Sequence, residues 1–235
     1  MIRERARLIR NVRPLIKRVG PSMNPYLTDT EYAAKGLFEL ALSGDTELKR
    51  LSQALQSANA GFAMNFIDAA SIESDDDLDW DEDSFEDEVD AAYARAGQFH
   101  QHASALKADI ERLDKELVDK DTALQTLSGA ILQIAKQGLS IVHGGPQNAP
   151  VVRVLAPSSL ALSTVIWEGR NQAMHYEEPQ FHAGVEKCFS ELQKHFGPHF
   201  DLAAHSGQSR ARQMLQLLGW SDYVSYLKDM QALLP

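Results

Sequence analysis

The 235 residues suffice for one large domain or two small ones with a buried core. Hydrophobic residues make up 44% and charged residues 24%. These are globular proportions, and the abundance of Leu and Ala over aromatics, Gly and Pro predicts a mostly helical protein instead of a sandwich or barrel. A single cysteine, Cys188, excludes an intramolecular disulfide. No apolar run approaches the ~18–20 residues that span a bilayer, and the basic, interrupted N-terminus lacks the pattern of a secretory signal. A soluble, cytoplasmic protein with no membrane partner is expected.

The formal net charge of −10 disfavours a generic nucleic-acid binder, but it averages over a strong asymmetry. Residues 1–18 carry Arg3, Arg5, Arg7, Arg10, Arg13, Lys17 and Arg18 against Glu4 alone. Residues 73–90, "ESDDDLDWDEDSFEDEVD", carry twelve acids and no base.

In chain order, Leu8, Ile9, Val12, Leu15 and Ile16 predict a short basic helix that Pro14 kinks or ends. It either packs on the body with a basic outer face or serves as an RNA- or membrane-contacting arm. After the turn residues of "GPSMNPYLTDTEY", Thr28 or Asp29 is expected to cap a helix that runs to about Leu42. A second helix is expected to restart at Asp45 or Thr46, with Leu48, Leu51, Leu55 and Phe62 on its apolar stripe. The acidic block reads as a solvated linker or loop, although Trp80 and Phe85 are unusual in a pure spacer. Its alternating oxygens from Asp75 to Glu86 imitate an EF-hand register, but Trp80 occupies the position that needs Gly, so calcium binding is not expected.

From about Val89 to Val142 a long helix is predicted. Leu106, Ile110, Leu113, Leu117, Leu124, Leu127, Ile131 and Ile134 mark a heptad seam, with Lys120 at the missing position. Such a seam needs a partner helix, from this chain or from a second copy. "HGGPQNAPVVRVLAPSS" breaks the pattern, and "VVRVL" is either a short strand or merely extended. Pro157, Ser158 and Ser159 are expected to start a helix that ends near Glu177, before Pro179. Helices follow in "FHAGVEKCFSELQKHFG", "QSRARQMLQLLGW" and "SDYVSYLKDMQALL", the last two hinged at Gly219. The expected organisation is an accessory helical region at 1–72, an acidic linker at 73–90 and a helical bundle at 91–235.

The chemistry-bearing stretch is "VIWEGRNQAMHYEE", Val165 to Glu178. Asn171 and His175 stand at i and i+4 and share a helix face; Arg170 lies one residue step, about 100°, away. A guanidinium holds a phosphate oxygen bidentately and offsets charge developing in a transition state. An imidazole exchanges a proton near neutral pH. Together they suit RNA cleavage without a metal. No zinc set is visible: His195 and His199 flank a helix break, and His100 and His102 diverge. Cys188 lacks a nucleophile signature and reads as a small core residue. No cofactor is expected.

This segment resembles the signature of the HEPN superfamily (higher eukaryotes and prokaryotes nucleotide-binding), in which an Arg followed by a polar residue, often Asn, precedes a His near a helix end. The match is Arg170, Asn171 and His175. The resemblance is specific over 165–178, plausible over roughly 90–235, and does not reach residues 1–72. It implies an all-α bundle with long antiparallel helices and a metal-independent endoribonuclease of a defence or toxin-like system. It also implies a homodimer that brings two motifs to one cleft. Arg170 would stabilise phosphorane charge, His175 would be general acid or base, and Asn171 would orient; Glu168 and Tyr176 would support them. Partners implied are RNA, a second copy, and an antitoxin or other defence protein. Two alternatives remain: a non-catalytic interaction protein whose heptad seam builds an oligomer, and a nucleotide- or RNA-binding subunit that needs a partner chain.

Overall fold

The computed structural model of the chain describes residues 23–73 and 85–235. The expected basic N-terminal helix and most of the acidic block, including the EF-hand-like register and Trp80, lie outside the described residues. Six α-helices form within them: α1 (Pro25–Glu73), α2 (Phe85–His143), α3 (Leu162–His175), α4 (Ala183–Phe196), α5 (Ala211–Leu218) and α6 (Tyr223–Leu233). Single 3₁₀ turns lie at Pro146–Asn148 and Pro198–Phe200. No strand forms among the described residues. "VVRVL" contributes one isolated antiparallel bridge, between Val154 and Ala161.

α1 starts earlier than its sequence suggested. Pro25 takes the first helical position, where its missing N–H costs nothing. The Asn24 side chain accepts from the Tyr26 N–H at 3.0 Å, so Asn24 is the cap in place of Thr28 or Asp29. The expected break near Gly44 is absent. Thr46, read as a cap, instead returns its hydroxyl to the Leu42 carbonyl at 2.9 Å within one continuous helix. Gly44 serves close approach: a Cβ there would stand 2.7 Å from Leu124 Cδ2 of α2.

α1 and α2 run antiparallel, with Gly44 opposite Leu124 and Gly61 opposite Leu106. The Tyr26 hydroxyl donates to the Ile134 carbonyl at 2.7 Å near the other end of the pair. α1 is therefore the partner of the heptad seam, whose Leu113, Leu124 and Ile131 are buried. Each fully buried Leu or Ile contributes about 1.5–3 kcal/mol, so this seam is a main adhesive between the two long helices.

The core cluster draws on α1 at Leu27, Ala34 and Phe38 and on α2 from Ile131 to Leu139. Ile166 of α3, Phe189 of α4, Met214 of α5 and Tyr226 of α6 complete it. Cys188 is buried among these residues, as expected of a small core side chain.

α3 begins at Leu162, several residues later than the expected Pro157–Ser159 start. The intervening backbone is consumed by a tight turn. Leu155 N–H bonds to the Leu160 carbonyl, Leu162 N–H bonds to the Arg153 carbonyl, and the Ser158 hydroxyl returns to the Leu155 carbonyl. α5 and α6 are separated at Gly219, which sits in the left-handed region at φ 69°. Asp222 and Ser225 then form a reciprocal capping box that starts α6.

Candidate functional site

α3 is amphipathic in a way that sorts the motif. Leu162, Val165, Ile166, Gly169 and Gln172 are buried and face the core. Arg170 and Asn171 consequently fall on the flank beside α2, which runs antiparallel to α3. His175 is the last residue of the helix.

Arg170 is half-buried. Its Nε donates to Gln133 Oε1 of α2. Its two terminal nitrogens have no hydrogen-bond partner among the described residues, and neither is sealed from solvent. Asn171 spends both ends of its amide: Nδ2 donates to Glu168 Oε2 at 3.0 Å, and Oδ1 accepts from Lys136 Nζ at 2.7 Å. Lys136 lies one turn beyond Gln133 on α2, and its ammonium sits 4.4 Å from the centre of the Trp167 ring. Burial and then the neighbouring Arg170 charge hold the Lys136 pKa below the usual lysine range, against a smaller opposite pull from Glu168.

His175 stands apart from this group. Its side chain is 50% exposed, and Nδ1 lies 2.6 Å from Glu178 Oε1. A carboxylate only accepts, so Nδ1 donates in this contact. Nε2 has no partner among the described residues. The imidazole is thus oriented by Glu178, while Asn171 is committed to Lys136 and Glu168. Arg170 and His175 are five residues apart, about 140° around the helix and about 7.5 Å along it. The structure brings Arg170 and Asn171 together on the α2 flank and leaves His175 on the exposed terminal turn.

Glu168 supports Asn171 directly, and α4 backs its carboxylate: a Cβ at Gly184 would come within 2.6 Å of Oε1. Burial, then the charge of Glu168, pushes the Cys188 thiol up to about 12. Tyr176 is the C-cap of α3. A hydrogen bond with Glu177 pushes its phenol above the usual range. Both residues line a cleft of about 1230 Å³ bounded by α1, α2, the end of α3 and residues 207–210. Gln133, the acceptor for Arg170, shares that wall, whereas Arg170, Asn171 and His175 are not in it. The motif therefore flanks the cleft without facing into it.

Among the described residues, no three His, Cys, Asp or Glu side chains gather as a metal site. His195 pairs with Glu191 at 3.0 Å, and His199 packs on Phe200. No helix of the described residues is long and apolar enough to cross a membrane.

Gln133, Lys136 and Glu178 escaped the sequence reading. Glu178 left a signal in the His-x-x-Glu spacing of "HYEE", one helical turn apart. Gln133 and Lys136 left none, because they reach the motif only through the packing of α2 on α3. No family model, curated protein or solved structure matches this chain.

Proposed function

We propose that the chain is a metal-independent endoribonuclease of a bacterial defence or toxin-like system, acting on RNA by 2′-hydroxyl attack. One observation carries the reading. Among the described residues, the end of α3 offers a guanidinium with both terminal nitrogens unspent and, on the next turn, an exposed imidazole whose Nε2 is unspent. Arg170 would grip non-bridging oxygens of the scissile phosphate and offset charge developing on phosphorus. His175 Nε2 would take the 2′-hydroxyl proton or return one to the leaving 5′-oxygen, with Glu178 steadying the imidazolium. The HEPN-like spacing of Arg170, Asn171 and His175 supports the same reading.

One imidazole serves as acid or as base, and the angular separation of Arg170 from His175 makes a shared, two-fold site attractive. A homodimer is therefore part of the proposal. Its interface must use a surface other than the heptad seam, which α1 occupies. An antitoxin or another defence protein is the expected regulator.

The test is incubation of the purified protein with total RNA in EDTA, followed by mapping of cut ends. Products should carry 2′,3′-cyclic phosphate and 5′-hydroxyl ends. His175→Ala should lower the rate by ~10²–10⁴-fold in a folded protein. A Mg²⁺ requirement, 5′-phosphate ends or a fully active His175→Ala chain would refute it.

A second reading rests on the inward bonds of Arg170 and Asn171, which tie α3 to α2 through Gln133 and Lys136. A non-catalytic interaction protein would use them as structural ties only. In that case Arg170→Ala lowers the melting temperature, and no variant changes RNA cleavage above background.

A further inference from the structure

Half-buried cations are ordinarily matched by carboxylates, because an uncompensated charge in low dielectric is costly. Arg153 and Arg212 follow that habit, whereas buried Arg210 gives its Nε to the His199 carbonyl and forms no ion pair among the described residues. Arg153 lies 2.5 Å from Asp229, and Arg212 lies 2.7 and 2.8 Å from Asp45 and Asp121. The flank between α2 and α3 departs from it. Lys136 and Arg170 are close enough for the Arg170 charge to depress the lysine's pKa. Yet each leans on a neutral amide oxygen: Asn171 Oδ1 for the lysine and Gln133 Oε1 for the arginine. Among the described residues neither cation forms an ion pair. Glu168, whose charge acts on Lys136, gives one oxygen to Asn171 and is packed against Gly184.

Two like charges held near one another by neutral acceptors repel one another, against a smaller pull of Glu168 on the lysine. Gln133 and Lys136 are one turn apart on α2, Arg170 and Asn171 are adjacent on α3, and the amides lock the two rows together. The Trp167 ring supports the ammonium from a second side. An anion placed between the two heads would remove the repulsion and gain charge-assisted hydrogen bonds from unspent N–H groups on both. The arginine fork suits a tetrahedral oxyanion, and the ammonium supplies a point charge beside it.

We infer that Lys136 and Arg170 together form a binding site for a backbone phosphate of an RNA strand, with Lys136 a phosphate-binding residue contributed by α2. The inference rests on the ribonuclease reading for the identity of the strand. It goes beyond that reading in assigning substrate contact to a residue outside the motif and on another helix. Asn171 gains a definite task here: it aims the Lys136 ammonium, instead of aiming His175.

The probe is a fluorescent, fully 2′-O-methylated RNA oligonucleotide, which cannot be cleaved by 2′-hydroxyl attack, titrated in EDTA over a range of salt. Lys136→Gln should weaken binding by about tenfold and make the slope of log K against log salt shallower by about 0.7, the loss of one single-strand phosphate contact. Lys136→Arg should retain most of both. Should Lys136→Gln not fold, the wild-type protein still decides: bound oligonucleotide should protect Lys136 from amine acylation, read by mass spectrometry. An unchanged salt slope in folded Lys136→Gln, or equal acylation with and without RNA, overturns the inference. Cleavage of unmodified RNA separates the two proposals. Binding that depends on Lys136 with no cleavage leaves the phosphate site standing and removes the catalytic reading. Cleavage with a Lys136-independent salt slope does the reverse.

Discussion

Gln172 sits in the middle of the motif, is fully buried, and performs a structural task that can be measured. Its Nε2 donates to the Gln208 carbonyl at 2.9 Å, and its Oε1 accepts from the Arg210 N–H at 2.8 Å. A donor bond to a carbonyl and an acceptor bond from an N–H fix the amide in one orientation. The side chain thereby fastens the segment before α5 onto α3. Gln172→Met keeps the length and removes both bonds. Arg210 is buried, so its amide would be left unsatisfied at a cost of about 1–3 kcal/mol. Gln208 is exposed, so its carbonyl can turn to water and adds about 0.5 kcal/mol. The expected loss is about 2–3 kcal/mol, a drop of about 5–10 °C in melting temperature for a chain of this size. Urea unfolding followed by circular dichroism measures it, and an unchanged m-value shows that only stability moved. A loss under about 0.5 kcal/mol would refute the accounting, since the buried amide would then have found another partner.

Arg212 joins α5 to both long helices through Asp45 and Asp121. Arg212→Met should cost about 1–2 kcal/mol at low salt and less at about 0.5 M NaCl; an effect independent of salt would argue against an electrostatic tie. The Cys188 thiol, buried and pushed up to about 12, should resist alkylation at pH 8 in the native chain and react at once in denaturant, because only the thiolate is nucleophilic. Fast native labelling would show that α4 opens readily. For the proposed two-fold site, mixing Arg170→Ala with His175→Ala chains should restore partial cleavage, since one composite site keeps an intact Arg and His. Full activity from a monomer by light scattering would exclude that arrangement.

What the sequence determined alone is the helical content. Apolar residues recurring at helical spacing and Gly219 between α5 and α6 act within a few residues of themselves. Neighbours in sequence are enough to read them. The same local logic misjudged Gly44, where a helix break was expected. The reason for that glycine is Leu124, eighty residues away, and no local pattern carries it. The heptad seam announced that a partner was needed, but only packing chose α1 over a second copy. The motif divides in the same way. Its spacing put Asn171 and His175 on one face, and that much is helix geometry. Which groups would satisfy them was a tertiary matter: Lys136 and Gln133 approach from α2, Glu168 is pinned by Gly184 of α4, and Glu178 takes the imidazole. Hydrogen bonds act over about 3 Å, so partners far apart in the chain become partners only once the helices have packed.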